Sequence, residues 1–173
     1  MSEQEIGENE RSEVSSLRPK QEAGEAGEAV KNQGAGEIGF FINRHYLHDL
    51  SVENPVGRVA DEDAADLRYG LDGRVDAKPM QALNTFMVEV NMQLTSMLRE
   101  QVVFLVDATY RVEVELRGIP EPVQPFTLCV SVPEAIFPAI REILQRNGGY
   151  AGYPEMQVNA PDFRAFYVAR HGI

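Results

Sequence analysis

The 173-residue sequence predicts an α+β fold, a four-stranded antiparallel sheet with two C-terminal helices packed on one face. Three observations carry this expectation. Strand-like alternation dominates from residue 40 to residue 116, and helical spacing replaces it afterwards. Strands grouped before helices argue for a helix layer on an antiparallel sheet rather than for interleaved βαβ units. The candidate strands also alternate apolar with polar residues, as a sheet with one dry and one wet face requires.

The clearest strand lies in "VVFLVDATYRVEVEL", where Val102, Phe104, Val106, Ala108, Tyr110, Val112, Val114 and Leu116 are all apolar. Their neighbours include Asp107, Thr109, Arg111, Glu113 and Glu115. A one-residue slip would expose the whole apolar row, so the register is strongly specified. Upstream, "TFMVEVNMQLTS" sets Phe86, Val88, Val90, Met92 and Leu94 against Glu89, Asn91, Gln93 and Thr95, and "MLREQ" reads as a turn. In the first strand, simple alternation puts Phe40, Ile42, Tyr46, Leu50 and Val52 on one face. Asn43, His45, Asp49, Ser51 and Glu53 take the other, and Asn54-Pro55 ends the strand. Residues 56–68 are polar and read as a loop. A weaker strand follows in "YGLDGRVDA", on Tyr69, Leu71 and Val75, and "KPMQALN" is a connecting segment.

The prolines of "RGIPEPVQP" terminate the fourth strand. A helix is expected over residues 131–149, with Ile136, Ile140, Ile143 and Leu144 at buried spacing and Phe137 beside them. Pro133 suits its first turn, whereas Pro138 removes an internal hydrogen bond and predicts a bend near residues 134–138. Gly148-Gly149 supplies a stop. A loop, "YAGYPEMQVNAP", then leads into a short terminal helix in "PDFRAFYVARHG". Residues 1–37 are rich in Glu and Gly, lack aromatic side chains and repeat "EAGEAGEA". Such a segment buries too little apolar surface to offset its ordering entropy, so it reads as a disordered acidic tail before an ordered domain at 38–173.

Composition and motifs narrow the function. The net charge of −11, with no run of Lys and Arg, disfavours nucleic acid and suits cationic or unfolded polypeptide partners. The lone cysteine, Cys129, excludes an internal disulfide and a Cys-rich zinc site, and its apolar neighbours make it read as a small buried hydrophobe. No uninterrupted apolar run approaches membrane-spanning length, and the acidic start is unlike a signal peptide. A cytoplasmic protein without membrane insertion is the expectation. In "HYLHD", His45 and His48 fall on opposite strand faces, and Asp49 shares the face of His45 with no nucleophile nearby. His171 lies at the chain end. With no phosphate loop, metal set or catalytic triad, a binding protein without cofactor is expected, not an enzyme.

At the C-terminal third, "PEAIFPAIREIL" followed by "GYPEMQVNAPDFRAFY" resembles the helix, loop and terminal helix of the bacterial export chaperone SecB family. The first strand is similar too, at Phe40, Ile42, Arg44, Tyr46, Asp49, Ser51, Glu53 and Pro55. The third and fourth strands agree in pattern and length. The resemblance spans residues 40 to about 170. It implies a homotetramer built as a dimer of dimers that holds preproteins unfolded in the cytoplasm and passes them to the SecA ATPase, without nucleotide or cofactor of its own. It also implies SecA docking through Asp49, Glu53, Leu105 and Asp107, which alternation independently assigns to the polar sides of their strands. For clients it implies an apolar groove between the connecting segment after the second strand and the last helix. Leu71, Val75, Met80 and Leu83 stand on one side, with Phe163, Phe166, Tyr167 and Tyr153 on the other. Two departures stand out. "YRVEVEL" replaces the family's Gly-containing run in the fourth strand, and the acidic C-terminal tail of many members has no counterpart before Ile173. The alternatives are a SecB-like holdase outside export, guarding an unstable partner such as an antitoxin, and an interaction protein of the same fold without chaperone activity.

Overall fold

The computed structural model describes residues 37–154 and 156–171. The disordered tail expected at residues 1–37 therefore lies, except for its last position, outside the described residues. Four strands, β1 (Gly39–Glu53), β2 (Leu67–Pro79), β3 (Thr85–Leu98) and β4 (Gln101–Arg117), form one antiparallel sheet in the order β1-β4-β3-β2. Helices α1 (Glu121–Tyr150) and α2 (Phe163–His171) follow, so the α+β class holds, with the helices on one face of the sheet.

The strand order decides which connection is long. From β2 through β4 the chain meanders, by a turn at residues 80–84 and another at residues 99–100. Asn84 and Arg99 adopt φ of 55° and 57° there. β1 lies at the opposite edge from β2, so residues 54–66 must link the two edges, and Val59 packs against the core on the way. The long connection thus follows the first strand, where the sequence reading placed a polar loop, and β2 begins at Leu67, near that loop's end. Strand order is a non-local property that alternation does not encode.

In β4 the even residues from Phe104 to Leu116 are buried, as alternation predicts. The row breaks only at its start, where a register shift against β3 buries Val103 and exposes Val102. β1 departs further. Its pairing with β4 shifts between Ile42 and Arg44 and again between Leu47 and Asp49. Each bulge adds one residue and flips the faces beyond it. The inner face therefore reads Phe40, Ile42, His45, Leu47, Leu50 and Val52, in register with the buried row of β4. Tyr46 moves outward opposite Arg111, and His45 inward, where its Nδ1 lies 2.6 Å from the Tyr110 hydroxyl. Asp49 and His45 consequently do not share a face. Asp49 and Glu53 remain together on the outer one.

α1 starts ten residues before the expected helix. Pro122 and Pro125 occupy early positions of its opening turns, where a missing N–H costs little. Thr127–Ser131 forms a π turn, followed by a regular α-helix over Val132–Tyr150. Pro133 thus sits inside a continuous helical run, not at its start. The wide π turn just ahead of it includes Cys129, the carbonyl left without a donor at Pro133 and the one its ring would crowd. Val132, Ile136, Phe137, Ile140 and Leu144 enter the core against β3 and β4. By length and composition α1 is the one helix among the described residues that matches a membrane span, and this buried stripe accounts for much of its apolar content. The helix runs through Gly148-Gly149, and the chain turns at Gly152, with φ +84°. Gly148 has another role: the Met156 methyl group lies 1.7 Å from where a Cβ would be, so any side chain would displace it. Asp162 caps α2, accepting from the Ala165 amide at 2.9 Å.

Candidate interaction surfaces

Register across β1 and β4 builds the first surface on the outer face. Glu53 pairs with Leu105, Ser51 with Asp107 and Asp49 with Thr109. Asp49, Glu53, Leu105 and Asp107 are thereby neighbours on two adjacent strands. Asp49 and Glu53 are exposed, and Leu105 and Asp107 half-buried. Asp107 is held in place by β3: Asn91 Nδ2 donates to it at 2.6 Å and Gln93 Nε2 at 3.4 Å, while Asn91 also reaches the Thr109 hydroxyl at 3.0 Å. The sequence reading missed these two amides, although cross-strand register would have revealed them. No cationic side chain among the described residues forms an ion pair with Asp49, Glu53 or Asp107, so their charge is open to a cationic partner.

Toward the other end of the same face, charge is neutralised internally. Arg44 donates to Glu113 at 2.7 Å, Arg111 to Glu89 at 2.9 Å and Arg117 to Glu115 at 2.9 Å. The Arg117 guanidinium, 4.2 Å above the Phe41 ring, holds the Glu115 carboxyl below its usual range through that hydrogen bond.

The second surface lies between β2 and α2. A cavity of about 330 Å³ is lined by Val75, Cys129, Phe166, Tyr167 and Arg170, among others. A neighbouring cavity of about 310 Å³ shares Val75, Cys129 and Arg170 and continues along Ala77, Phe86 and Leu128. Val75, Phe166 and Tyr167 of the expected groove are thus brought together, whereas Leu71 packs on the core and lines neither cavity. Phe163 instead lies fully buried, edge-on to Phe137 and Phe166, as the anchor of α2. Tyr153 is a core residue as well. Its ring stacks 5.0 Å from Phe104, and its hydroxyl donates to the Val103 carbonyl at 2.7 Å and lies near the Gly57 carbonyl and Asn54. It ties the β1–β2 connection to the sheet rather than flanking the groove. Met80 and Leu83 sit in the tight β2–β3 turn, where Leu83 is 86 % exposed. Cys129 and Arg170 were not anticipated in the groove. The signal for Arg170 was its place three and four residues after Tyr167 and Phe166, on the same helical face.

No group of three His, Cys, Asp or Glu among the described residues is arranged to hold a metal ion. Cys129 is half-buried instead of sealed in the core, and burial raises its thiol pKa.

The sheet thus carries an acidic patch at Asp49, Glu53 and Asp107 on its outer face, and apolar cavities lie between β2 and α2. The family model described as "Preprotein translocase subunit SecB" matches residues 33–172, and the chain belongs to the SecB family. It is similar to the protein-export protein SecB of Burkholderia mallei, with 32% identity over 76% of this chain and 82% of that one. Against SecB of Rickettsia akari the identity is 29%, over 73% and 84% of the two chains. Among solved structures, the SecB-like chaperone of Mycobacterium tuberculosis, in complex with an antitoxin peptide, superposes with a TM-score of 0.59 at 18% identity. That match covers 70% of this chain and 90% of the other, and it shows the shared fold.

Proposed function

We propose that this chain is an ATP-independent cytoplasmic chaperone that binds unfolded preproteins and delivers them to SecA. The observation that carries the reading is the juxtaposition of Asp49, Glu53, Leu105 and Asp107 on β1 and β4, acids without internal counter-ions around a half-exposed leucine. Such a patch suits a partner that brings basic side chains and one apolar anchor. The groove between β2 and α2 supplies the apolar surface for clients. Its walls of Phe, Tyr and Val impose shape without directional demands, as a binder of many sequences requires. Relatives named as export proteins support the export role.

The chain acts as a homotetramer, a dimer of dimers. Ile42, Leu47, Leu50 and Val52 on the inner face of the edge strand β1 are between 36 and 43 % exposed, an apolar row that a second copy would cover. Titration calorimetry with SecA tests the export role. The wild-type chain binds, and the double substitution Asp49→Asn with Glu53→Gln weakens binding by about tenfold or more while client binding is unchanged. A second reading, a holdase devoted to one unstable partner, is favoured by the Mycobacterium tuberculosis relative seen with an antitoxin peptide. Client protection without any SecA binding would select it.

A further inference from the structure

The two cavities between β2 and α2 are adjacent, and Arg170 is one of the residues that line both. Arg170, on the last turn of α2, reaches back to β2, where Nη1 donates to the Val75 carbonyl at 2.6 Å and Nη2 to Asp76 Oδ1 at 2.5 Å. Val75, Cys129 and Arg170 line both cavities. The guanidinium is thus pinned to β2 at the wall the two cavities share, which also holds the chain's single thiol. The Arg170 side chain is half exposed, so water and salt compete for its ion pair. The bond to Val75 is to main chain, which no side-chain variation on β2 removes.

We propose that Arg170 and Asp76 form an openable clasp that divides the groove into two short apolar chambers and so sets which client segments it accepts. Closed, the groove takes two short apolar stretches separated by a spacer. Open, it takes one continuous apolar stretch along β2. Arg170 is on this account a specificity-determining residue for the groove assigned above. Its role in client choice rests on the chaperone reading, but the clasp itself can be tested without a client.

Cys129 is the reporter. Full-length protein is treated with 4,4′-dithiodipyridine, and thiopyridone release is followed across pH. Two effects of Arg170 separate in that profile. Arg170 lowers the thiol pKa by its charge, so removing it shifts the midpoint upward. Opening the clasp instead raises the limiting rate at high pH, which reports access alone. The expected results are a limiting rate about fivefold higher for Arg170→Met, a similar rise for wild type in high salt, and no salt dependence in the variant. Arg170→Lys keeps a charged donor and stays near the wild-type rate. Asp76→Asn weakens the clasp from the β2 side, leaves the sequence of α2 intact and gives an intermediate rate. Equal limiting rates for wild type, Arg170→Met and Asp76→Asn would overturn the proposal. So would a rise in Arg170→Met that neither salt nor Asp76→Asn reproduces, since that pattern marks fraying of α2. In a parallel arm, a fluorescein-labelled 12-residue Leu/Phe peptide binds Arg170→Met about fivefold tighter than wild type. Clasp-dependent labelling with no peptide binding by any form would keep the clasp and defeat the chaperone reading.

Discussion

β1 and β4 are adjacent strands of one sheet, paired along their length, and their inner faces have opposite fates. The β4 row from Phe104 to Leu116 is at most 6 % exposed beneath α1 and the loop before α2. The matching row on β1 is covered only in part, at its Phe40 end. The two strands carry similar amounts of apolar side chain, so the difference lies in what covers them. A core row stabilises this chain, whereas an uncovered row on an edge strand stabilises association with another surface. The outer face repeats the contrast in charge. Arg44–Glu113 and Arg111–Glu89 close on themselves, while Asp49, Glu53 and Asp107 have no ion-pair partner among the described residues.

Breaking the covered side has the largest effect on folding. Phe104→Ala removes a fully buried ring stacked on Tyr153 and should cost about 3–5 kcal/mol, read by urea denaturation at fixed protein concentration. Tyr153→Phe leaves the Val103 carbonyl without that donor and should cost about 1–3 kcal/mol. On the uncovered side, Leu50→Asp should leave the unfolding of the isolated chain nearly unchanged, because the site is already exposed. Light scattering should instead record a smaller assembly; an unchanged mass would show that β1 is not an association surface. Arg44→Met, at an ion pair with its arginine largely exposed, should shift stability by less than about 1 kcal/mol. A larger shift there would mean that the neutralised half of the outer face is structural.

The same contrast explains what was legible in the sequence. β3 and β4 announced themselves because each lies between two neighbours, and burial on one face imposes strict alternation. β1 looked equally regular, but its bulges at Asn43 and His48 reassigned His45 and Tyr46, and a bulge has no signature in alternation alone. Asp49, Glu53, Leu105 and Asp107 were placed correctly, because both bulges precede the two acids and neither alters the parity between them. The groove was half legible. Phe166 and Tyr167 follow from helical spacing, whereas the loss of Tyr153 to the core depends on its hydroxyl finding Val103, fifty residues away in sequence. Helix α1 began early for a local reason: its prolines lie where a helix tolerates them, so the strand-ending segment was also a helix start.

The most direct test of the central claim is light scattering of a chemically unfolded model substrate diluted into buffer with increasing amounts of this chain. The account predicts that aggregation is suppressed near stoichiometric ratios without ATP, and that Phe166→Asp in the groove abolishes the protection while the fold persists. Aggregation that proceeds at the same rate with and without the wild-type chain would contradict it.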